Sequence, residues 1–434
     1  MKFKKVAALL LAGVMCAAAV VGCGKDSDNT TTPTNGGNNQ TQGGDKEQTK
    51  APSGDAEKIS LKVWSPAEDQ NPDMGNWLET RCKAFNEAHP EWDITFEYGV
   101  CSEADAKDQV TKDPDAAADV FMFASDQLAG LIDAGAIARL GGETEKYIRE
   151  TNEDLIVRTV TSGEGVYGVP FTGNTWFMYY DKRVFNEEDV KSMEKMLEKG
   201  KVSFTLGNGW YIGSIFAANG CTWFGDGTDE SKGIDFAGDK ATQAVEAAFD
   251  LAANPNFVYD EGNKSVGFLA EGSASAMFSG TWDYKNVCEA LGGEENVGVA
   301  CAPTIKINGE DKQMLPFYGS KAIGVNKNTS NMKASVALAL WLANEDSQLA
   351  HYEMRSVVPC NKALLSNDKV KNDPLCVVQN TLEKAIVQPG VAAISKYWTP
   401  AETLGKKINA KRVNKEDAAQ LAADLNEAVN KDAI

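Results

Sequence analysis

The stretch that decides the fold is Ile59 to Val100, ISLKVWSPAEDQNPDMGNWLETRCKAFNEAHPEWDITFEYGV. Ile59 to Trp64 alternates Ile, Leu and Val with polar residues, the period of a strand with one face buried. Asn76 to Ala88 then places Trp77, Cys82 and Phe85 at helical intervals, and Ile94 to Val100 returns to strand character. Strand, helix and strand in succession predict a parallel pair with a right-handed crossover, the unit of an α/β protein. Downstream, Asp119 to Phe123 reads as a buried strand with Gln127 to Ala134 as the helix behind it. Gly168-Val169-Pro170 punctuates the chain before an aromatic strand, Trp176 to Tyr180. Long helical patterns recur at Lys240 to Ala252, Ala334 to Asn344 and Glu416 to Val429. There is no short internal repeat.

The chain has 434 residues, more than one hydrophobic core usually holds, so two domains are expected. A formal net charge of -19 argues against nucleic acid, which demands clustered Lys and Arg, and disfavours an anionic membrane surface as a second attachment. Lys2, Lys4 and Lys5 precede an apolar run from Val6 to Val21, followed by Gly22-Cys23 and a polar tract rich in Thr, Asn, Gly, Gln and Asp. This segment resembles a bacterial lipoprotein signal peptide. The resemblance implies cleavage after residue 22, lipid on Cys23, and a flexible tether over 23–57. A transmembrane anchor is the alternative, but a run of about 16 residues is short of the roughly 20 that span a bilayer.

Without Cys16 and Cys23, Cys82, Cys101, Cys221, Cys288, Cys301, Cys360 and Cys376 remain, an odd set with no Cys-x-x-Cys pair. At least one is therefore free, and no Cys and His spacing matches a zinc site. Unpaired thiols on an extracellular body point to a reducing or anaerobic habitat, and with the acidic tethered style to a Gram-positive cell.

Beyond the tether the sequence resembles the extracellular solute-binding proteins of ABC importers, in the branch of the maltodextrin-binding proteins. The marks are Leu61-Lys62-Val63-Trp64; Asp119-Val120-Phe121-Met122-Phe123 followed by Leu128 and Gly135; and Tyr167-Gly168-Val169-Pro170 leading to Tyr179-Tyr180-Asp181-Lys182. Further along come Phe268 to Gly272 running into Ala276 to Trp282, then Gly298 to Pro303 leading to Gly319 and Ile323. The resemblance implies a two-lobed α/β fold of the periplasmic-binding-protein type, with ligand in the cleft between lobes that close about a hinge. Lobe one would hold 58–172 and 321–373, and lobe two 173–320 and 374–434. The chain would cross near Pro170 to Thr175, Pro316 to Lys321 and Pro374.

It also implies a ligand and its contacts. A pyranose offers an apolar face of C–H groups and a rim of hydroxyls, so flat aromatic platforms and bridging polar side chains suit it. Carried onto this chain, Trp210, Trp282 and Trp398 fall at stacking positions of lobe two, Tyr397 beside them, Phe123 at an aromatic position of lobe one, and Trp64 in the first strand. Each is either a platform or core packing. Asp126 matches a sugar-binding carboxylate. Gln127 stands where arginine is frequent and Asn174 where an acid is found, while Glu68 and Asp69 occupy the first loop, where an acid and a lysine are expected. These departures leave the sugar and its linkage open.

The implied role is capture of an oligosaccharide and its delivery to a permease, by a monomer that needs no cofactor. A polyamine site framed by Glu68, Asp69, Asp126, Asp283 and Trp282 is the alternative ligand. An amino-acid site would need an arginine clamp that the expected cleft loops lack. Asp226, Asp229 and Asp235 around Gly227 read as a surface turn, because the spacing is not that of an EF-hand. An anchored glycosidase would require one special carboxylate pair, and no pair stands out. Gly207, Gly209 and Gly213 have the wrong spacing for a dinucleotide loop and read as a flexible ligand loop before a helix. Both histidines, His89 and His351, read as structural or exposed.

Overall fold

A computed structural model describes residues 56–431. The leader, Cys23 and nearly all of the tether lie outside them. Two mixed sheets organise the chain. In the first, the order is Ile386–Val387, Phe317–Val325, Val120–Ala124, Glu57–Ser65 and Trp92–Val100, with Val169–Asn174 also paired to Phe317–Val325. In the second it is Phe257–Tyr259, Val202–Phe204, Ala276–Ser279, Phe177–Asp181 and Val297–Ala300.

The opening unit forms as its periodicity requires. Glu57–Ser65 and Trp92–Val100 pair in parallel around the helix Trp77–Ala88, which buries Trp77, Leu78, Cys82 and Phe85. Val120–Ala124 is apolar at every position and buried at every position, as a central strand covered on both faces must be. The strands expected from Asp119 and from Trp176 begin one residue later, and the long helices run over Asp239–Ala253, Met332–Leu342 and Ala418–Asn430.

Separate cores give the two lobes. Leu61, Val63, Phe121, Ile323 and Leu338 belong to one. Trp176, Phe204, Ile215, Phe278 and Tyr397 belong to another, on one face of the second sheet. The opposite face of that sheet is covered by a third group that includes Phe177, Tyr179, Met277, Val358 and Val370. Val358 and Val370, inside the span expected for lobe one, therefore pack on the second sheet.

Three segments join the cores. Val169 and Phe171 lie in the first and Trp176 in the second. The strand Phe317–Val325 threads both, with Phe317 in the second core and Ala322, Ile323 and Val325 in the first. Ile386–Val387 pairs with the start of that strand, and Val391 continues into the second core. The third crossing thus lies beyond Pro374, which instead opens the helix Pro374–Gln379 whose Leu375 and Cys376 cover the second sheet.

One polar cluster is buried in the first lobe. Asp69 accepts from His351 Nε2 at 2.8 Å and from Arg355 at 2.5 Å, and the His351 ring stacks on Trp77 at 4.1 Å. His351 is thus structural, as one of the sequence readings had it. Cys82, Cys101, Cys221, Cys288, Cys301, Cys360 and Cys376 are all unpaired. Burial pushes the Cys82, Cys221 and Cys376 thiols up to about 12, so they are inert at neutral pH. Among the described residues no helix is long and apolar enough to cross a membrane.

Candidate functional site

Two parallel strands of the second sheet, Val202–Phe204 and Ala276–Ser279, end on the same side. The first runs through Thr205 to Asn208 into the helix Gly209–Ala218. Asn208 caps that helix by accepting from the Trp210 backbone N–H at 2.8 Å, which fixes Trp210 in the first turn. The second strand passes Gly280 into the short turn Thr281–Asp283, which presents Trp282. A Cβ on Gly280 would lie 2.0 Å from the Trp282 ring, so glycine is what allows the indole to fold back there. The Trp210 and Trp282 rings are 6.1 Å apart and 29° from parallel.

Trp282 is 51% exposed, an unusual state for so large an apolar ring. Both indoles line a cavity of 310 Å³, together with Asn208, Tyr211, Asn263 and Asp283. Burial, reinforced by Asp283, raises the Tyr211 phenol, which keeps it a neutral donor. A flat apolar shelf edged with amides, a phenol and a carboxylate can hold a ring that is apolar on its face and hydroxylated on its rim.

The first sheet brings its own group to this place. Glu57–Ser65 and Val120–Ala124 are parallel, and Ser125 and Asp126 follow the carboxyl end of the latter. Open α/β sheets bind ligands at such ends. Gly319, on the strand shared by both lobes, measures the convergence: a Cβ there would come 3.0 Å from Ser125 Oγ, 3.4 Å from Gln388 Oε1 and 3.5 Å from the Asn174 carbonyl. Gln388 Oε1 in turn accepts from Trp210 Nε1 at 2.8 Å. Ser125, the Asn174 carbonyl and, through Gln388, Trp210 therefore meet about Gly319, with Asp126 next to Ser125 in the chain. Asp126 is exposed, yet desolvation raises its carboxyl above the ordinary range against the pull of its backbone hydrogen bond and Lys107.

Other expected residues are placed elsewhere. Phe123 is fully buried, with Gly168 passing over its ring, and belongs to the core of lobe one. Tyr397 is also fully buried and donates its hydroxyl to the Gly209 carbonyl at 2.8 Å, so it supports the Trp210 turn from behind and offers nothing to solvent. Its neighbour Trp398 is half-buried, edge-on to Phe317, with its ring against Gly209. Trp64 is half-buried and lies across Gly99 of the adjacent strand, where a Cβ would meet the indole at 2.4 Å. Glu68 is exposed.

Asp69 is consumed by His351 and Arg355, which removes one acid from a polyamine site. Gln127 accepts from Lys107 N at 2.7 Å and donates to the Ala104 carbonyl, pinning that turn. Gly209 and Gly213 lie inside the helix rather than in a loop, and a Cβ at Gly213 would meet Phe317 and Tyr397 at 2.8 Å, so they serve close packing.

Residues 80–377 match the family described as bacterial extracellular solute-binding protein. The chain belongs to that family. Among curated proteins it is similar to the galactooligosaccharide-binding protein of Bacillus subtilis (strain 168), 23% identical over 325 residues that make up 70% of this chain and 75% of that one. Among solved structures it is similar to one determined with acarbose, 49% identical with a TM-score of 0.78, covering 86% of this chain and 99% of that one. A maltodextrin-binding protein from L. casei BL23, solved without ligand, is 26% identical with a TM-score of 0.80, covering 86% and 100%. A solute-binding protein binds and releases, so the role is not catalytic.

In this solute-binding protein, Ser125, Gly319 and Gln388 connect the shared strand to the Trp210 turn, contacts that sequence reading alone misses. Gln388 follows a two-residue strand in a region without periodicity, and its partner Trp210 is 178 residues away. Among the described residues no group of His, Cys, Asp or Glu is arranged to hold a metal ion, and Asp226 and Asp229 cap local turns through Thr228 and Ser231.

Proposed function

We propose that this protein captures a maltodextrin-type oligosaccharide outside the cell and delivers it to the permease of an ABC transporter. The observation that carries this reading is the exposed Trp282 indole beside Trp210, joined through Gln388 and Gly319 to the Asp126 loop of the other lobe. The 49% identical structure determined with acarbose supports the same ligand class. Trp210 and Trp282 stack on sugar faces, Asp126 and Asn174 accept from or bridge hydroxyls, and Trp398, Glu68 and Trp64 border the bound chain. The ligand favours the closed arrangement of the two lobes, so binding shifts the hinge population.

A thermal-shift panel tests the reading. A ligand at 100 times its dissociation constant adds roughly 2.7 kcal/mol to stability. Maltotriose to maltoheptaose are expected to raise the melting temperature, and β-linked glucans, amino acids and polyamines to leave it unmoved. A shift with spermidine alone sinks the proposal.

Asp126 gives the site a pH dependence. Sugar hydroxyls donate to the charged carboxylate, so its share of affinity is full above its raised pKa and is lost as pH falls through it. Maltotriose affinity is therefore expected to fall at a pH nearer neutrality than an ordinary carboxylate would give, and Asp126→Asn to flatten that profile while weakening binding at neutral pH. An unchanged profile in Asp126→Asn removes the residue from the site.

Attachment rests on Cys23, whose lipid would hold the protein at the outer face of the membrane as a tethered monomer. Cys23→Ser is expected to move the protein from the membrane fraction to the medium. Retention after that change supports an uncleaved anchor instead.

A further inference from the structure

Trp210 is held in its plane from several sides. Its ring meets Tyr211 edge-on at 5.6 Å and Trp282 near parallel at 6.1 Å, while its backbone N–H and C=O are taken by Asn208 and by the Trp176 indole. These stacking and backbone contacts hold the plane of the ring and its first turn. The last torsion of a tryptophan has two broad wells about half a turn apart, which exchange the N–H edge and the benzo edge; here the N–H edge faces Gln388. That N–H has one acceptor, Gln388 Oε1 at 2.8 Å.

Gln388 is itself immobile. It is 6% exposed, and its backbone N–H donates at 2.9 Å to the carbonyl of Tyr318, which is fully buried on the strand shared by the lobes. Gly319 lies beside it, where a Cβ would stand 3.4 Å from Oε1. We infer that Gln388 is a positioning residue: it fixes the orientation of the Trp210 indole from the hinge and so sets how well the platform presents its face to ligand. The effect on ligand rests on the reading of the cleft as a sugar site, but the effect on the indole does not.

The test uses the indole N–H region of the amide-correlation spectrum, with the Trp210 signal identified as the one absent from Trp210→Phe. In ligand-free Gln388→Met that signal is expected to shift and its hydrogen exchange to quicken several-fold, whereas Gln388→Glu, which keeps an acceptor, leaves it protected. Maltotriose affinity should drop roughly fivefold in Gln388→Met, the worth of one neutral hydrogen bond. In a Trp210→Phe background, which has no N–H, Gln388→Met should cost nothing further.

An unmoved signal in Gln388→Met overturns the proposal, as does an equal loss of affinity with and without the Trp210 N–H. Should Gln388→Met fail to fold, exchange in the wild-type protein decides, because an unprotected Trp210 N–H contradicts the bond. Should the wild type ignore maltotriose, the ligand is wrong, and the ligand-free spectra still decide the positioning.

Discussion

Trp282→Ala is expected to weaken maltodextrin binding by on the order of 1–3 kcal/mol, about 5- to 150-fold, while leaving the melting temperature of the free protein nearly unchanged. The two halves of this expectation have one cause. The ring is 51% exposed, so folding gains little from it. A bound sugar that covers its face would desolvate both surfaces at once. A core tryptophan behaves oppositely, with Phe/Trp→Ala costing about 3–5 kcal/mol of stability. Titration calorimetry beside a melt separates the cases, and wild-type affinity in Trp282→Ala removes the residue from the site. Trp210→Ala should lose affinity and some stability together, because that ring is half-buried against the second core.

Asp69→Ala is expected to destabilise the protein by about 3–5 kcal/mol, more than any change at the cleft. The carboxylate lies buried between His351 and the Arg355 guanidinium, and its removal leaves a partly buried cation without a counter-charge. The Arg355 Nε already lacks a partner, so nothing nearby takes up the loss. A urea melt reads the effect directly. A midpoint equal to wild type would mean that water reaches Arg355 and that the cluster does not brace the loop after the first strand.

These two residues mark what a sequence discloses and what it conceals. Trp282 stands out in the sequence through the family resemblance, and its ring is indeed exposed. Asp69 does not, since its partners lie 282 and 286 residues away and nothing local separates a buried carboxylate from a solvated one. The opening strand, helix and strand could be read because each carries its own period, and Val120–Ala124 because it is apolar throughout. That same uniformity hid the fate of Phe123, since a strand covered on both faces has no position left for ligand.

Tyr397 and Trp398 are neighbours in sequence, yet adjacent helical residues point about 100° apart. Tyr397, Ala401, Leu404 and Ile408 form the buried stripe of the helix Ser395–Asn409, a spacing that could have assigned Tyr397 to the core from sequence alone. Gly209 and Gly213 misled for a related reason. Three glycines in seven residues resemble a loop, whereas here two of them admit Trp398, Phe317 and Tyr397 against a helix. The third crossing was misplaced because a proline suggests a break, and Pro374 instead occupies the first position of a helix, where its missing N–H costs nothing.

The cleft is expected to take an oligosaccharide and return it unaltered. The most direct measurement is a calorimetric titration of maltotriose into the purified protein, with the sugar recovered afterwards and analysed for chain length. Saturable binding at one site, with the recovered sugar still a trisaccharide, is the expected result. Absence of heat with maltotriose alongside saturable binding of spermidine, or recovery of shortened sugar, would contradict it.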